Sequence, residues 1–190
     1  MLGSEIPKRG VAIFCIAGLA GCMSLAAPPP SPDRTPSCQT EGEATSTSRL
    51  LAEELQRNVN SLPLFLAAAK NTTMHACNAS HTGISVELLY GFQNGNQYSL
   101  KHDPAIEWSE QHARLRNPPI AEDPGQLLSR AEQRAFGAQG CGIDWQQPGT
   151  VPLKDGLIEK SWRGKVCNCR ASVRHDKSGG LMELSLSSAC

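Results

Sequence analysis

The stretch Ile84-Ser85-Val86-Glu87-Leu88-Leu89-Tyr90-Gly91-Phe92-Gln93-Asn94-Gly95-Asn96-Gln97-Tyr98-Ser99-Leu100-Lys101-His102-Asp103 reads as a β-hairpin. Ile84, Val86, Leu88, Tyr90 and Phe92 alternate with Ser85, Glu87 and Gly91, and Leu89 is the exception. Such alternation puts one set of side chains on a buried sheet face. Asn94-Gly95-Asn96 supplies the turn, because Asn and Gly accept the positive φ that tight hairpins require. One pairing sets Phe92 opposite Gln97 and Tyr90 opposite Ser99. The other, with a three-residue loop, sets Phe92 opposite Tyr98 and Tyr90 opposite Leu100. The second keeps apolar residues on one face and is the one expected.

A second hairpin is expected over 165–190, turning at Lys177-Ser178-Gly179-Gly180. One register sets Val173 opposite Leu184, Ala171 opposite Leu186 and Cys167 opposite Cys190. Cys167, Cys169, Ala171 and Val173 then share a face with Met182, Leu184 and Leu186, and Arg174 sits across from Glu183, a small favourable pair. A Cys167–Cys190 disulfide follows. Cys169 points to the same side as Cys167, and a bridge between them would close a strained ring, so each needs a different partner.

Between the hairpins lie helical signals. Leu51, Leu55 and Val59 recur every four residues over 48–60, and Leu62 to Ala69 reads as a second short helix with Pro63 in its first turn. Asp103-Pro104 is read as the start of a helix over 105–116. Asp123-Pro124-Gly125-Gln126 opens the best-signalled helix: Asp123 can cap it, Pro124 suits its first position and Gln126 gives a capping-box spacing. Its apolar face is Leu127, Leu128, Ala131 and Ala135, and Gly137 is a stop. Residues 138–156 read as loop, and Leu157 to Trp162 lead into the last strands. The expected class is α+β, with short helices packed on antiparallel hairpins and disulfide staples. The tryptophans Trp108, Trp145 and Trp162 could line a ligand site, but in a chain with 5% aromatics they are expected to anchor its core.

Residues 1–22 have another character. Lys8 and Arg9 precede an apolar run from Val11 to Ala20, too short to span a membrane, and Leu19-Ala20-Gly21-Cys22 follows. This arrangement resembles the lipobox of bacterial lipoproteins. The resemblance implies cleavage after Gly21 and a lipid anchor at Cys22, and Met23 in place of an aspartate implies the outer membrane, with the protein facing the periplasm. The expected organisation is a signal peptide over 1–21, a Pro/Ser/Thr-rich tether over 22–47 and one domain over 48–190. Of the eight cysteines, Cys15 leaves with the leader and Cys22 is acylated. Six remain, and an oxidising compartment makes them a disulfide framework with about 15 connectivities. Loop lengths favour Cys141–Cys169, which leaves Cys38–Cys77.

The 190 residues carry 18 Lys and Arg against 18 Asp and Glu. This balance excludes a nucleic-acid binder working by bulk charge. Gly-x-Ser-x-Gly, P-loop, Gly-x-Gly-x-x-Gly and His-Glu-x-x-His signatures are absent. His75, Cys77, His81, Cys167 and Cys169 lack the paired spacing of structural zinc, so neither a metal nor a cofactor is expected. A catalytic residue is not assigned either. Glu107, Glu110 and His112 are candidates only for an alternative reading, a cell-wall-directed hydrolase or transferase.

Lys154 to Lys177 holds seven basic and three acidic residues, and Arg163, Lys165, Arg170 and Arg174 form a candidate partner surface. Gly164-Lys165-Val166-Cys167, the strand after it, the Gly turn, the return strand and Cys190 resemble the hairpin of the C-terminal domain of the TonB/TolA class. That likeness covers about 27 residues of the chain. It implies a protein-interaction module of the envelope. The expected function is therefore that of a lipid-anchored, non-catalytic module with an envelope protein partner.

Overall fold

The structure is a computed structural model that describes residues 38–116, 122–137, 140–178 and 180–190. The expected leader, Cys22 and the proline-rich part of the tether lie outside the described residues.

The chain forms an α+β domain in the order β1 (Gln39–Glu41), α1 (Ser46–Val59), α2 (Pro63–Ala69), β2 (Met74–Thr82), β3 (Ser85–Phe92), β4 (Gln97–Asp103), β5 (Trp108–Arg116), α3 (Pro124–Phe136), β6 (Gly149–Pro152), β7 (Ile158–Arg163), β8 (Arg170–His175) and β9 (Leu181–Ala189). The strands make one nine-stranded sheet, ordered β1-β2-β3-β4-β5-β9-β8-β7-β6. β1 runs parallel to β2, and every other pair is antiparallel. β2–β5 and β6–β9 are thus two meanders joined through β5 and β9.

All three helices lie on one face, α1 against β3, α2 against β4 and β5, and α3 against β8 and β9. Thr45 caps α1 by accepting from the Ser48 N–H (3.1 Å). Asp123 caps α3 by accepting from the Gln126 N–H (3.1 Å), and Gly137 takes φ 76° just past the end of α3. Under the helices sit Val86, Leu88, Tyr90, Phe92, Leu100, Ala113, Leu184 and Leu186. Phe65 of α2 stands edge-on to Tyr90, Phe92 and Tyr98, with centroids 5.2, 5.7 and 5.4 Å apart. Of the tryptophans, Trp162 is buried in the same core and Trp145 packs against it, while Trp108 belongs to neither group.

From Arg170 on, the C-terminal hairpin has the expected register, with Val173 paired to Leu184 and Ala171 to Leu186; residues 165–169, expected as strand, form a turn in which Cys167 and Asn168 take φ 56° and 40°. The disulfides are Cys38–Cys77, Cys141–Cys169 and Cys167–Cys190. Cys38 and β1 bring the end of the expected tether into the sheet as an edge strand.

Further readings change. In the first hairpin Tyr90 pairs with Tyr98 and Leu88 with Leu100, two residues from the expected register. The loop is Gln93 to Gly95: the Phe92 N–H donates to the Asn96 carbonyl (3.0 Å), the Gly95 N–H returns to the Phe92 carbonyl (2.9 Å), and Gly95 takes φ 84°. A shift of two residues preserves side-chain faces, so face matching could not detect it. Second, residues 108–116 are strand rather than helix. Asp103-Pro104 opens a tight turn in which Asp103 Oδ1 accepts from the Ala105 N–H (2.9 Å) and Glu107 closes at φ 48°. The same chemistry starts helices and turns. Gln111, Ala113 and Leu115 then face the core, and Glu110, His112 and Arg114 the other side. Third, residues 149–152, read as loop, form the edge strand β6.

Candidate functional site

The sheet face away from the helices carries the predicted partner residues. Cross-strand pairing puts Arg163 beside Arg170 on β7 and β8, and Arg174 beside Glu159. Lys165 lies outside this row, in the loop after β7, where its own N–H and that of Val166 donate to the Cys141 carbonyl (3.0 and 3.2 Å). Gly164 allows that approach, since a Cβ there would lie 2.6 Å from the Cys141 oxygen and 2.7 Å from Cys169 Cβ.

Glu159 organises the basic cluster. It is 6% exposed, and its two oxygens accept from Arg170 Nη2 (2.8 Å) and Arg174 Nε (2.7 Å). The hydrogen bond from Arg174 holds the Glu159 carboxyl below its ordinary pKa, against the opposing effect of burial. The same bond raises the Arg174 guanidinium. Arg174 and Glu183 are register partners as expected, but each engages elsewhere. Glu183 lies 3.4 Å from Arg114 Nε, without hydrogen-bond geometry. Lys101 pairs with Glu87 at 3.2 Å. Exposed pairs of this kind add little stability. They leave the face with mixed charge, basic at β7–β8.

His112 lies mid-sheet, paired with Ser99 of β4 and Ser185 of β9. With Lys101, Glu110, Ser172, Arg174 and Glu183 these residues line a depression of about 260 Å³. Ser172 and Ser185 share a hydrogen bond at 2.8 Å. Burial lowers the His112 pKa from 6.5, against the raising effects of Glu183 and Glu110. Of the alternative catalytic candidates, Glu110 and His112 therefore share a face, while Glu107 is left in the exposed turn before β5. Among the described residues the His112 ring makes no hydrogen bond. Among the described residues no group of three or more His, Cys, Asp or Glu side chains is placed to hold a metal ion.

A larger groove, about 920 Å³, opens on the helix side, where the helical layer stops short of β7. Its floor is Lys160, Trp162, Val173, His175 and Met182, and its wall is the start of α3 and the segment from Trp145 to Pro148. Trp145 and Trp162 stand 5.4 Å apart. Glu132, 4% exposed, accepts from the Cys141 N–H (2.7 Å) and from Trp145 Nε1 (3.1 Å). Its 3.2 Å approach to Cys141 Sγ is a contact only, because a disulfide sulfur carries no proton. Trp162 Nε1 donates to the Trp145 carbonyl (3.2 Å). Sequence reasoning missed Glu132. Its signal is a carboxylate four residues after Leu128, on the apolar stripe of α3.

Comparison with protein-family models, with curated proteins and with solved structures returns no match.

Proposed function

We propose that this chain is a lipoprotein of the bacterial cell envelope, exported by residues 1–21, acylated at Cys22 and held on the periplasmic face of the outer membrane. There its domain acts as a non-catalytic protein-interaction module. The observation that supports this reading is the sheet face left uncovered by the helices. Its β7–β8 end offers Arg163, Arg170 and Arg174 against the single carboxylate Glu159. The partner that fits this end is an envelope protein presenting surface carboxylates. Charge complementarity sets encounter rate and register, and the serines between the charges let a partner approach closely.

The test is photo-crosslinking in the native envelope from probes placed singly at Arg163, at Ser187 and, on the helix side, at Glu53. The expected result is one protein captured from Arg163 and Ser187, absent from Glu53 and lost in Arg170→Glu. Equal capture from Glu53, or none from the sheet face, overturns the module. Release of cell-wall fragments, lost in Glu110→Gln and His112→Gln, selects the hydrolase instead. Incorporation of a tagged fatty acid that persists in Cys22→Ser overturns the anchor.

A further inference from the structure

We propose that the Cys167–Cys190 bridge is a thiol–disulfide exchange site, opened by a protein dithiol of the Cys-x-x-Cys class through attack on Cys190 Sγ. The three bridges differ first in access. Cys141 and Cys169 are 1% and 2% exposed, and Cys77 is 6% exposed beside a half-buried Cys38. Cys190, one residue past β9, is exposed, and Cys167 is half-buried in the loop before β8. Exchange requires an incoming thiolate to reach one of the two sulfurs. At Cys141–Cys169 that approach is closed. Glu132 Oε1 lies 3.2 Å from Cys141 Sγ, and Gly164 packs so near that a Cβ would meet Cys169 Cβ at 2.7 Å.

Backbone conformation sets the same bridge apart. Cys167 and Cys169 would point to one side of a continuous strand, yet they bond to partners in different places, Cys190 after β9 and Cys141 after α3. The chain meets both demands by turning at Cys167 and Asn168, with φ 56° and 40°. Asn tolerates that left-handed region, whereas Cys seldom enters it. Glu107, whose carbonyl accepts from the Cys190 N–H (3.4 Å), has φ 48°. Among the described residues, three of the four non-glycine positions with positive φ therefore gather at this bridge. Such conformations persist only while their surroundings hold them. Cys167 is held by the bond to Cys190 and by the hydrogen bond that its carbonyl accepts from the Ala189 N–H (2.8 Å). Opening the bridge lets this loop relax, which favours the reduced form.

One thiolate of the dithiol bonds to Cys190 Sγ as the Cys167–Cys190 bond breaks, and the electron pair leaves on Cys167 Sγ, which takes a proton. The second thiolate of the dithiol then attacks the dithiol's own sulfur in the mixed disulfide and releases Cys190 as a thiol. The dithiol is oxidised to its disulfide, the bridge is reduced by two electrons, and the two protons lost by the dithiol end on Cys167 and Cys190.

The opening is local. The Cys141–Cys169 bridge still holds the base of the loop, where the Gly164 N–H donates to the Cys169 carbonyl (2.8 Å) and the Lys165 N–H to the Cys141 carbonyl (3.0 Å). What is freed is the loop over 165–168 and the end of β9, where Ala189 pairs with Trp108. The loop lies between Arg163 and Arg170, but the exchange does not depend on what those residues bind.

The experiment treats the full chain, purified in detergent with its bridges formed, with reduced thioredoxin and, separately, with a thioredoxin whose second cysteine is replaced by serine. Thiols are capped with iodoacetamide at intervals and located by peptide mass spectrometry. We expect Cys167 and Cys190 to be capped about tenfold or more faster than the other four bridged cysteines, and the single-cysteine thioredoxin to be trapped on Cys190. Hydrogen exchange should rise at 165–168 and 187–190 and stay unchanged in β2, β3, β4 and α3. Earlier opening of Cys38–Cys77 or Cys141–Cys169, or no opening until the whole sheet loses protection, overturns the proposal. Trapping on Cys167 alone overturns the assigned direction of attack.

Discussion

The Glu132 carboxylate, buried beneath α3, accepts the indole N–H of Trp145 at 3.1 Å and with its other oxygen the N–H of Cys141 at 2.7 Å. Removing it leaves two donors without an acceptor in a closed setting. Glu132→Ala should lose about 2–4 kcal/mol of stability, since each abandoned buried donor costs about 1–3 kcal/mol. Glu132→Gln retains one acceptor oxygen and should lose less. Urea unfolding of the two variants, with near-ultraviolet circular dichroism as a second probe of Trp145, measures the difference. Equal losses would mean that the effect is one of volume.

Gly140 faces the same carboxylate from the other side. It sits at φ 57°, and a Cβ there would lie 2.6 Å from Glu132 Oε1. Gly140→Ala should therefore cost about 1–3 kcal/mol, from left-handed backbone and displaced acceptor together. In Glu132→Ala the same glycine substitution should cost only its backbone part. A double-mutant cycle by urea denaturation reads the coupling, and full additivity would show that the two sites do not meet.

The Glu159 fan predicts an acid-side response. Its carboxyl is held below its ordinary value of 4.5 in the folded state, first by the hydrogen bond from Arg174. The stability it contributes is present above the unfolded-state pKa and is lost as pH falls through the folded-state pKa. Wild-type stability should drop below pH 4.5 more steeply than that of Glu159→Gln, which has no proton to take up there. Parallel stability profiles from pH 6 to 3 would remove Glu159 from the account.

His112 predicts a second window. Burial lowers its pKa from 6.5, so between the folded and unfolded values the unfolded chain binds the extra proton. Stability should fall as pH drops through 6.5 and level off below the folded-state pKa. Proton resonances of the His112 ring should titrate below 6.5, and His112→Gln should flatten this part of the stability profile. A midpoint at or above 6.5 would mean that the ring is hydrated.

Opening Cys38–Cys77 should act locally. The bridge fastens β1, whose three residues pair only with β2 at the sheet edge. Cys38→Ser with Cys77→Ser should expose residues 38–45 to protease while the rest of the sheet persists, at a cost of about 2–4 kcal/mol. Cleavage inside β3–β5 in that variant would show that the bridge supports the whole domain.

What could be read from the sequence depended on how many independent signals met. At Val173 and Leu184 the turn residues, the alternation on both strands and the cysteine spacing agreed, and the register and its disulfide followed. At Tyr90 and Tyr98 only the faces constrained the pairing, which leaves a two-residue slip undetected. At Asp103-Pro104 the local chemistry serves a turn and a helix start alike, and the choice fell to β4 and β9, which flank β5. That is long-range information. The basic cluster was visible as Arg170 and Arg174, but the carboxylate that binds both is on the neighbouring strand. Trp145 and Trp162 could be read from the sequence as lining a ligand site, and both line the groove while Trp108 does not; Glu132 could not, because it meets Trp145 only when the loop after α3 folds back.

The strand order carries a consequence for how the domain is made. β9 is the last of the described strands in the chain, yet it lies in the interior of the sheet between β5 and β8. The pairing of Trp108 with Ala189 closes one of the longest loops in the fold, and such closures are slow. Until β9 arrives, β5 and β8 both present unpaired edges, one from each meander. Until β9 pairs, the sheet can form only as two open halves, and that stage of folding is when the chain is most exposed to mispairing.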